Sequence, residues 1–238
     1  MVGSIAEPRS TAVLARPGAA GSGRVALFDL DRTLLPGSSL VTLGRSLAAD
    51  RLLARRTLLV GVARDAAFRR RGASDGQAER LRAAALRHVA GLEVDRVRAL
   101  VCEIGERLAA EARPGMVLLL RRHVAAGDRV IVLSASPQEL VDAVATHVGA
   151  HHGIGTRAAI VDGRYTGELD GPFCYGPGKL ARLRDEVGPL PLGDATGYAD
   201  SASDVPILEA CGEPVAVNPD RRLGRIATAR GWPVVRFG

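Results

Sequence analysis

Short, nearly unbroken apolar runs that end on polar residues recur along the chain. Arg24-Val25-Ala26-Leu27-Phe28-Asp29 is the first, and Arg129-Val130-Ile131-Val132-Leu133-Ser134 is the second. Ala195-Thr196-Gly197-Tyr198-Ala199-Asp200 is a weaker third by propensity, and Pro214-Val215-Ala216-Val217 is a fourth. Runs without polar alternation belong to strands covered on both faces, as in a parallel sheet. Helical periodicity follows several of them. Ser136-Pro137-Gln138-Glu139 reads as a capping box with Pro at the first helical position, leading into Leu140, Val141, Val144 and Val148. Strand then helix, repeated, predicts a parallel α/β sheet. Asp162-Gly163, between the β-capable arms Ala159-Ile160-Val161 and Arg164-Tyr165-Thr166, predicts a hairpin.

Residues 39–112 differ from this pattern. They hold no strand-like run, and Val97, Leu100, Val101, Ile104 and Leu108 recur at helical spacing. A bundle of about four helices is expected there, broken near Asp50, Gly72 to Gly76 and Gly91-Leu92. Residues 1–22, rich in Ala, Gly, Ser and Pro, read as a flexible tail. The expected organisation is therefore a tail at 1–22, a core from 23–38 and 113–238, and a helical insertion at 39–112.

Composition narrows the function classes. The 238 residues are 47% hydrophobic and carry a formal charge of +6, so an anionic partner is worth considering. Four Phe, three Tyr and one Trp leave little for base-stacking platforms, which argues against nucleic acid. The apolar runs at Thr57–Ala63 and Met116–Leu120 are each closed by Arg, well short of the roughly 18 residues that cross a bilayer. Cys102, Cys174 and Cys211 are widely spaced and odd in number, which suits a reduced, cytoplasmic protein. Of the 32 basic residues only Lys179 is Lys. That Lys is either incidental or marks a place where a compact, movable ammonium is wanted in place of a planar fork.

The chemistry concentrates at the run ends. In Phe28-Asp29-Leu30-Asp31-Arg32-Thr33 two carboxylates stand one residue apart just past a strand, where open α/β sheets bind their ligands. One can attack or hold a metal while the other moves a proton, although the same spacing occurs in solvated turns. Ser134 closes the second run beside a helix start suited to an anion. Lys179 follows Gly176-Pro177-Gly178, and Asp200-Ser201-Ala202-Ser203-Asp204 places two acids four apart where capping and metal ligation are both open.

The order DxDxT, Ser, Lys, DxxxD resembles the four-part pattern of the haloacid dehalogenase superfamily phosphatases across residues 24–238. The helical insertion, with Leu133-Ser134-Ala135-Ser136-Pro137, Asp162–Gly167 and Val217-Asn218-Pro219-Asp220, is similar to the phosphoserine phosphatase-like subgroup, subfamily IB. The resemblance implies a Rossmann-like core with an inserted helical cap, acting on a small phosphorylated substrate through an aspartyl phosphate. Asp29 would be the nucleophile and Asp31, with a raised pKa, the general acid and base. Ser134 and Lys179 would bind the phosphoryl group, and Thr33 would order the loop. Mg²⁺ would sit on Asp29, the backbone carbonyl of Asp31 and Asp200, with Asp204 in support.

Two departures bear on the substrate. Phosphoserine phosphatases carry a Glu where this chain has Ser38 and a Gly where it has Ala135, so another small phosphomonoester is at least as well suited. Phosphoserine itself, or transfer to an alcohol acceptor, are the alternatives within this chemistry. From another class, a basic nucleic-acid- or membrane-binding module would use the charge and leave the strand-end acids unexplained. Gly21-Ser22-Gly23 precedes its strand and Gly176-Pro177-Gly178-Lys179 lacks a P-loop's first Gly, so neither supports nucleotide binding. His151-His152 reads as a loop after a helix, and Arg69-Arg70-Arg71 as a solvated helix end. Residues 39–112 hold 14 Arg against 9 acids, so the positive excess belongs to the expected cap.

Overall fold

A computed structural model describes residues 23–49 and 89–237. Strand β1 (Val25–Asp29) ends in a wide turn at Leu30–Leu34, followed by α1 (Ser39–Ala49). After the gap come α2 (Val94–Ala110), α3 (Pro114–Ala125), β2 (Arg129–Pro137), α4 (Gln138–Val148) and β3 (His152–Thr156). The hairpin β4 (Ala158–Val161) and β5 (Arg164–Leu169) precedes α5 (Gly178–Val187), β6 (Thr196–Ala199), α6 (Val205–Ala210), β7 (Glu213–Val217), α7 (Arg221–Arg230) and β8 (Val234–Val235).

Six strands form one parallel sheet in the order β3-β2-β1-β6-β7-β8. The strand order reverses at β1, whose neighbours β2 and β6 lead away in opposite directions. That is where an open α/β sheet forms its ligand crevice. In β1 the side chains alternate between two cores. Ala26 and Phe28 join a cluster with α2, α3 and α4, while Val25 and Leu27 join a second with Leu183 of α5 and Ile207 of α6. Burial on both faces is why the run carries no polar alternation. The hairpin turns as expected, with Asp162 (φ 49°) and Gly163 (φ 71°) both in the left-handed region that a two-residue turn of this type requires.

Several expectations are corrected. Strand β2 runs on through Pro137, and the helix starts at Gln138 with no side-chain cap. The capping box does not form, because Ser136 is drawn into the site described below and the Glu139 carboxylate accepts from the Tyr165 hydroxyl at 2.8 Å. His152 opens strand β3 instead of lying in a loop. In the expected insertion, α1 and α2 are helices and the break at Gly91 is a turn with φ 81°. The breaks at Asp50 and Gly72 to Gly76, Arg69-Arg70-Arg71 and the tail lie outside the described residues. No helix among the described residues is long and apolar enough to cross a membrane.

Candidate active site

The carboxyl ends of β1, β2 and β6 bring the strand-end residues together. Asp29 terminates β1 and the backbone then enters the turn, with Asp31 at φ −74°, ψ 122° and Arg32 in the left-handed region at φ 64°, ψ −8°. Bonds from Leu35 N–H to Leu30 O (2.9 Å) and from Arg32 N–H to Gly37 O (3.1 Å) close the turn. The Thr33 hydroxyl is fully buried and has no hydrogen-bond partner among the described residues, so it is not the hydroxyl that orders this loop.

The two acids of the turn meet different partners. Asp29 Oδ1 lies 2.6 Å from Lys179 Nζ, which also lies 2.6 Å from Asp204 Oδ1. Asp31 instead accepts from the Ser39 backbone N–H at 2.5 Å and from the Ser134 hydroxyl at 3.3 Å. Ser134 Oγ in turn accepts from Ser136 N–H at 3.1 Å, and the Ser136 and Ser39 hydroxyls share a buried hydrogen bond of 2.7 Å. That chain ties the start of α1 to the end of β2 and aims both Asp31 oxygens.

Lys179 reaches the acids because α5 begins directly beneath them. A Cβ at Gly178 would fall 1.9 Å from Phe173 O, so only Gly lets the helix start this close to the preceding loop. Asp200 follows β6. Its carbonyl accepts from Asp220 N–H at 2.8 Å, and the Asp220 side chain accepts from Ala202 N–H at 3.2 Å while capping α7 through Leu223 N–H at 2.7 Å. Asp200 Oδ2 accepts from Arg32 Nε at 2.9 Å. Asp204 stands at the N-cap of α6 yet makes no side-chain cap bond there, its carboxylate being given to Lys179.

Electrostatically the site is short of positive charge. Burial, together with the neighbouring Asp29, raises the Asp200 carboxyl above the usual range despite Arg32. Burial raises that of Asp204 too, against the pull of Lys179. Burial also raises Asp31, partly offset by the Ser39 N–H. For Lys179, burial opposes the charge, but Asp204 and Asp29 outweigh it and hold the ammonium protonated well above its ordinary range. One carboxylate oxygen each from Asp29, Asp200 and Asp204 lie within 4.8 Å of one another. An all-carboxylate set of hard oxygens fits Mg²⁺ or a similar divalent cation and not a thiophilic one.

Asp29, Asp31, Ser134, Lys179, Asp200 and Asp204, all singled out in the sequence, thus converge. Arg32, Ser39, Ser136 and Asp220 join them without a sequence signal for this role: Arg32, Ser136 and Asp220 lie inside motifs noted above, but Arg32 and Ser136 meet partners 168 and 97 residues away.

The chain is similar to known proteins along most of its length. A family model described as haloacid dehalogenase-like hydrolase matches residues 26–209. A protein from Mycobacterium tuberculosis named as a probable phosphatase is 37% identical over 219 residues, covering 89% of this chain and 75% of its own. A phosphoserine phosphatase of the same organism is 37% identical over 233 residues, covering 92% and 75%. A crystal structure of a Bordetella pertussis protein of unknown function superposes with a TM-score of 0.77 at 32% identity, covering 89% of this chain and 97% of that one.

Proposed function

The chain belongs to the haloacid dehalogenase-like hydrolase family, and on that premise we propose that it is a Mg²⁺-dependent phosphomonoesterase working through an aspartyl phosphate on Asp29. The observation that carries the reading is the division of labour between two acids one residue apart. Asp29 faces Lys179 and the carboxylate cluster, whereas Asp31 is turned aside onto Ser39 N–H and the Ser134 hydroxyl.

Asp29 Oδ attacks phosphorus, forming the O–P bond as the ester oxygen leaves. Asp31, with its pKa raised by burial, gives the leaving oxygen a proton and then takes one from the water that hydrolyses the acyl phosphate. Lys179 offsets the repulsion between a carboxylate nucleophile and a phosphate dianion, and the Ser134 hydroxyl, which donates to Asp31 Oδ2 at 3.3 Å, would turn to a phosphoryl oxygen. Asp29, the Asp31 carbonyl and Asp200 would hold Mg²⁺, with Asp204 in support. The ion supplies charge neutralisation of the phosphoryl group.

The substrate is a small phosphorylated metabolite. The relative named phosphoserine phosphatase favours a phosphorylated amino acid or amino alcohol, while Ser38 lacks the carboxylate that grips an amine in the enzymes this chain resembles. Residues 39–112 are assigned as the cap and 23–38 with 113–238 as the core, the cap's Arg excess drawing anions toward the site. The test is phosphate release from p-nitrophenyl phosphate with Mg²⁺. Asp29→Asn is expected to lose at least about 10³-fold in kcat, in line with removal of a nucleophile elsewhere. Activity comparable to the wild type overturns the assignment.

A further inference from the structure

Two cations pair with the carboxylates of Asp29, Asp200 and Asp204, and they are held very differently. Lys179 is sealed in, its side chain 4% exposed and bonded to two acids at once. The Arg32 side chain makes one hydrogen bond among the described residues, Nε to Asp200 Oδ2 at 2.9 Å, and is 36% exposed. Moreover, Arg32 occupies a left-handed backbone position (φ 64°) that disfavours any residue with a Cβ. The other two non-glycine residues with positive φ among the described residues are Asp162 and Asn218, side chains that tolerate the conformation. An arginine in a place suited to glycine, with its guanidinium on an acid of the proposed metal site, calls for a role in that site.

We propose that Arg32 is a displaceable counter-ion for Asp200, competing with the divalent cation for Oδ2 and so setting the metal affinity of the site. The inference rests on the metal-site reading above. Burial of Asp200 beside Asp29 makes some positive partner necessary, and Arg32 provides it from within the same turn that carries Asp29 and Asp31. Its exposure lets it withdraw into solvent, which Lys179 cannot do without leaving two buried carboxylates unpaired. A cation entering at Asp200 must therefore displace a charge-assisted hydrogen bond as well as water. The arginine keeps the site formed and charge-paired at low metal and weakens the site's grip on the ion.

The variant that tests this is Arg32→Gly, which suits the φ of 64° and is expected to fold. Mg²⁺ titration calorimetry on the metal-free protein, without substrate, reads the effect directly. Arg32→Gly is expected to bind Mg²⁺ roughly tenfold more tightly than wild type, the scale of one charge-assisted hydrogen bond. Arg32→Lys, which keeps a cation but not the planar fork, is expected to fall between the two. Millimolar methylguanidinium is expected to weaken Mg²⁺ binding to Arg32→Gly while leaving the wild type unchanged, which a purely structural role would not produce. Mg²⁺ binding to Arg32→Gly that equals or falls below wild type overturns the proposal. A wild-type protein whose Mg²⁺ titration is no different from that of Asp200→Asn overturns the metal-site reading itself, and the proposal with it.

Discussion

Buried polar clusters hang from both ends of the same strands, and they are built to opposite rules. At the amino ends, His123 bonds Asp128 Oδ2 through Nδ1 at 2.7 Å and the Tyr198 hydroxyl through Nε2 at 2.9 Å. Phe28 stacks on Tyr198 with ring centroids 4.6 Å apart, and nearby Arg24 pairs with Glu213 at 2.7 Å. Each acid there has a hydrogen-bonding or cationic partner, Asp128 on His123 and Glu213 on Arg24. At the carboxyl ends, three acids, Asp29, Asp200 and Asp204, share the two cations Lys179 and Arg32. The first cluster ties α3 to β6 through side-chain pairs, whereas the second brings carboxylate oxygens of Asp29, Asp200 and Asp204 within 4.8 Å of one another, an arrangement that suits a cation. Burial of charge alone therefore does not mark function: the acids at the carboxyl ends converge on one point, whereas Asp128 and Glu213 are each tied to a partner of their own.

The largest expected effect comes from removing the sealed cation. Lys179→Met leaves Asp29 and Asp204 buried without their partner, so activity is expected to vanish and stability to fall by about 3–5 kcal/mol, measured by urea unfolding in chelator. A loss below about 1 kcal/mol would show that the acids are not charged in the folded state. Next is Asp31→Asn, expected to lower kcat by about 10²–10⁴-fold. With p-nitrophenyl phosphate, whose leaving group hardly needs a proton, it should show a burst of nitrophenol followed by slow turnover. Absence of the burst would remove Asp31 from the second, hydrolytic step.

The smallest effect on activity is expected at the other end of the strands. His123→Gln removes the imidazole that joins Asp128 to Tyr198 and should cost about 1–3 kcal/mol while leaving kcat near wild type. The two clusters should also answer pH with opposite slopes. Burial holds His123 below its ordinary value, so the unfolded chain binds a proton the folded one resists. Stability from this residue is therefore lost as pH falls below about 6.5, and the gap between wild type and His123→Gln should shrink on going from pH 7 to 5. Asp200, raised to about 7 by burial and Asp29, takes up a proton more readily folded than unfolded. In chelator its contribution should be greatest at acid pH and decline as pH rises from about 4 to about 7, a slope that Asp200→Asn removes. Melting temperatures across pH 4 to 8 check both.

Much of this was legible in the sequence, for a physical reason. Strands covered on both faces must be apolar throughout, so Val25–Phe28 and Val130–Leu133 announce themselves, and the acids that follow stand out against them. Strand β3 did not announce itself. His152-Gly153-Ile154-Gly155-Thr156 has a single large apolar side chain, because a Cβ at Gly153 would lie 2.6 Å from Val141 O and one at Gly155 2.7 Å from Ser136 O. Close packing under α4 demanded the glycines and erased the strand's signature. Likewise Ser136-Pro137-Gln138-Glu139 carries a helix-start pattern, yet the strand continues through it because Ser39 and Tyr165 claim the two side chains the cap would use.

By itself the sequence determined which residues sit at strand ends and that two acids, a serine, a lone lysine and a second acid pair would be available for chemistry. Those properties follow from local periodicity and from where apolar runs stop. Which side chains face one another is set by the packing of elements far apart in the chain. Placing β1 between β2 and β6 sets Arg32 on Asp200, 168 residues away, and brings Lys179 between Asp29 and Asp204. Sequence spacing carries no information about such meetings, because they depend on sheet order and on the turn that sends Arg32 back across the cleft.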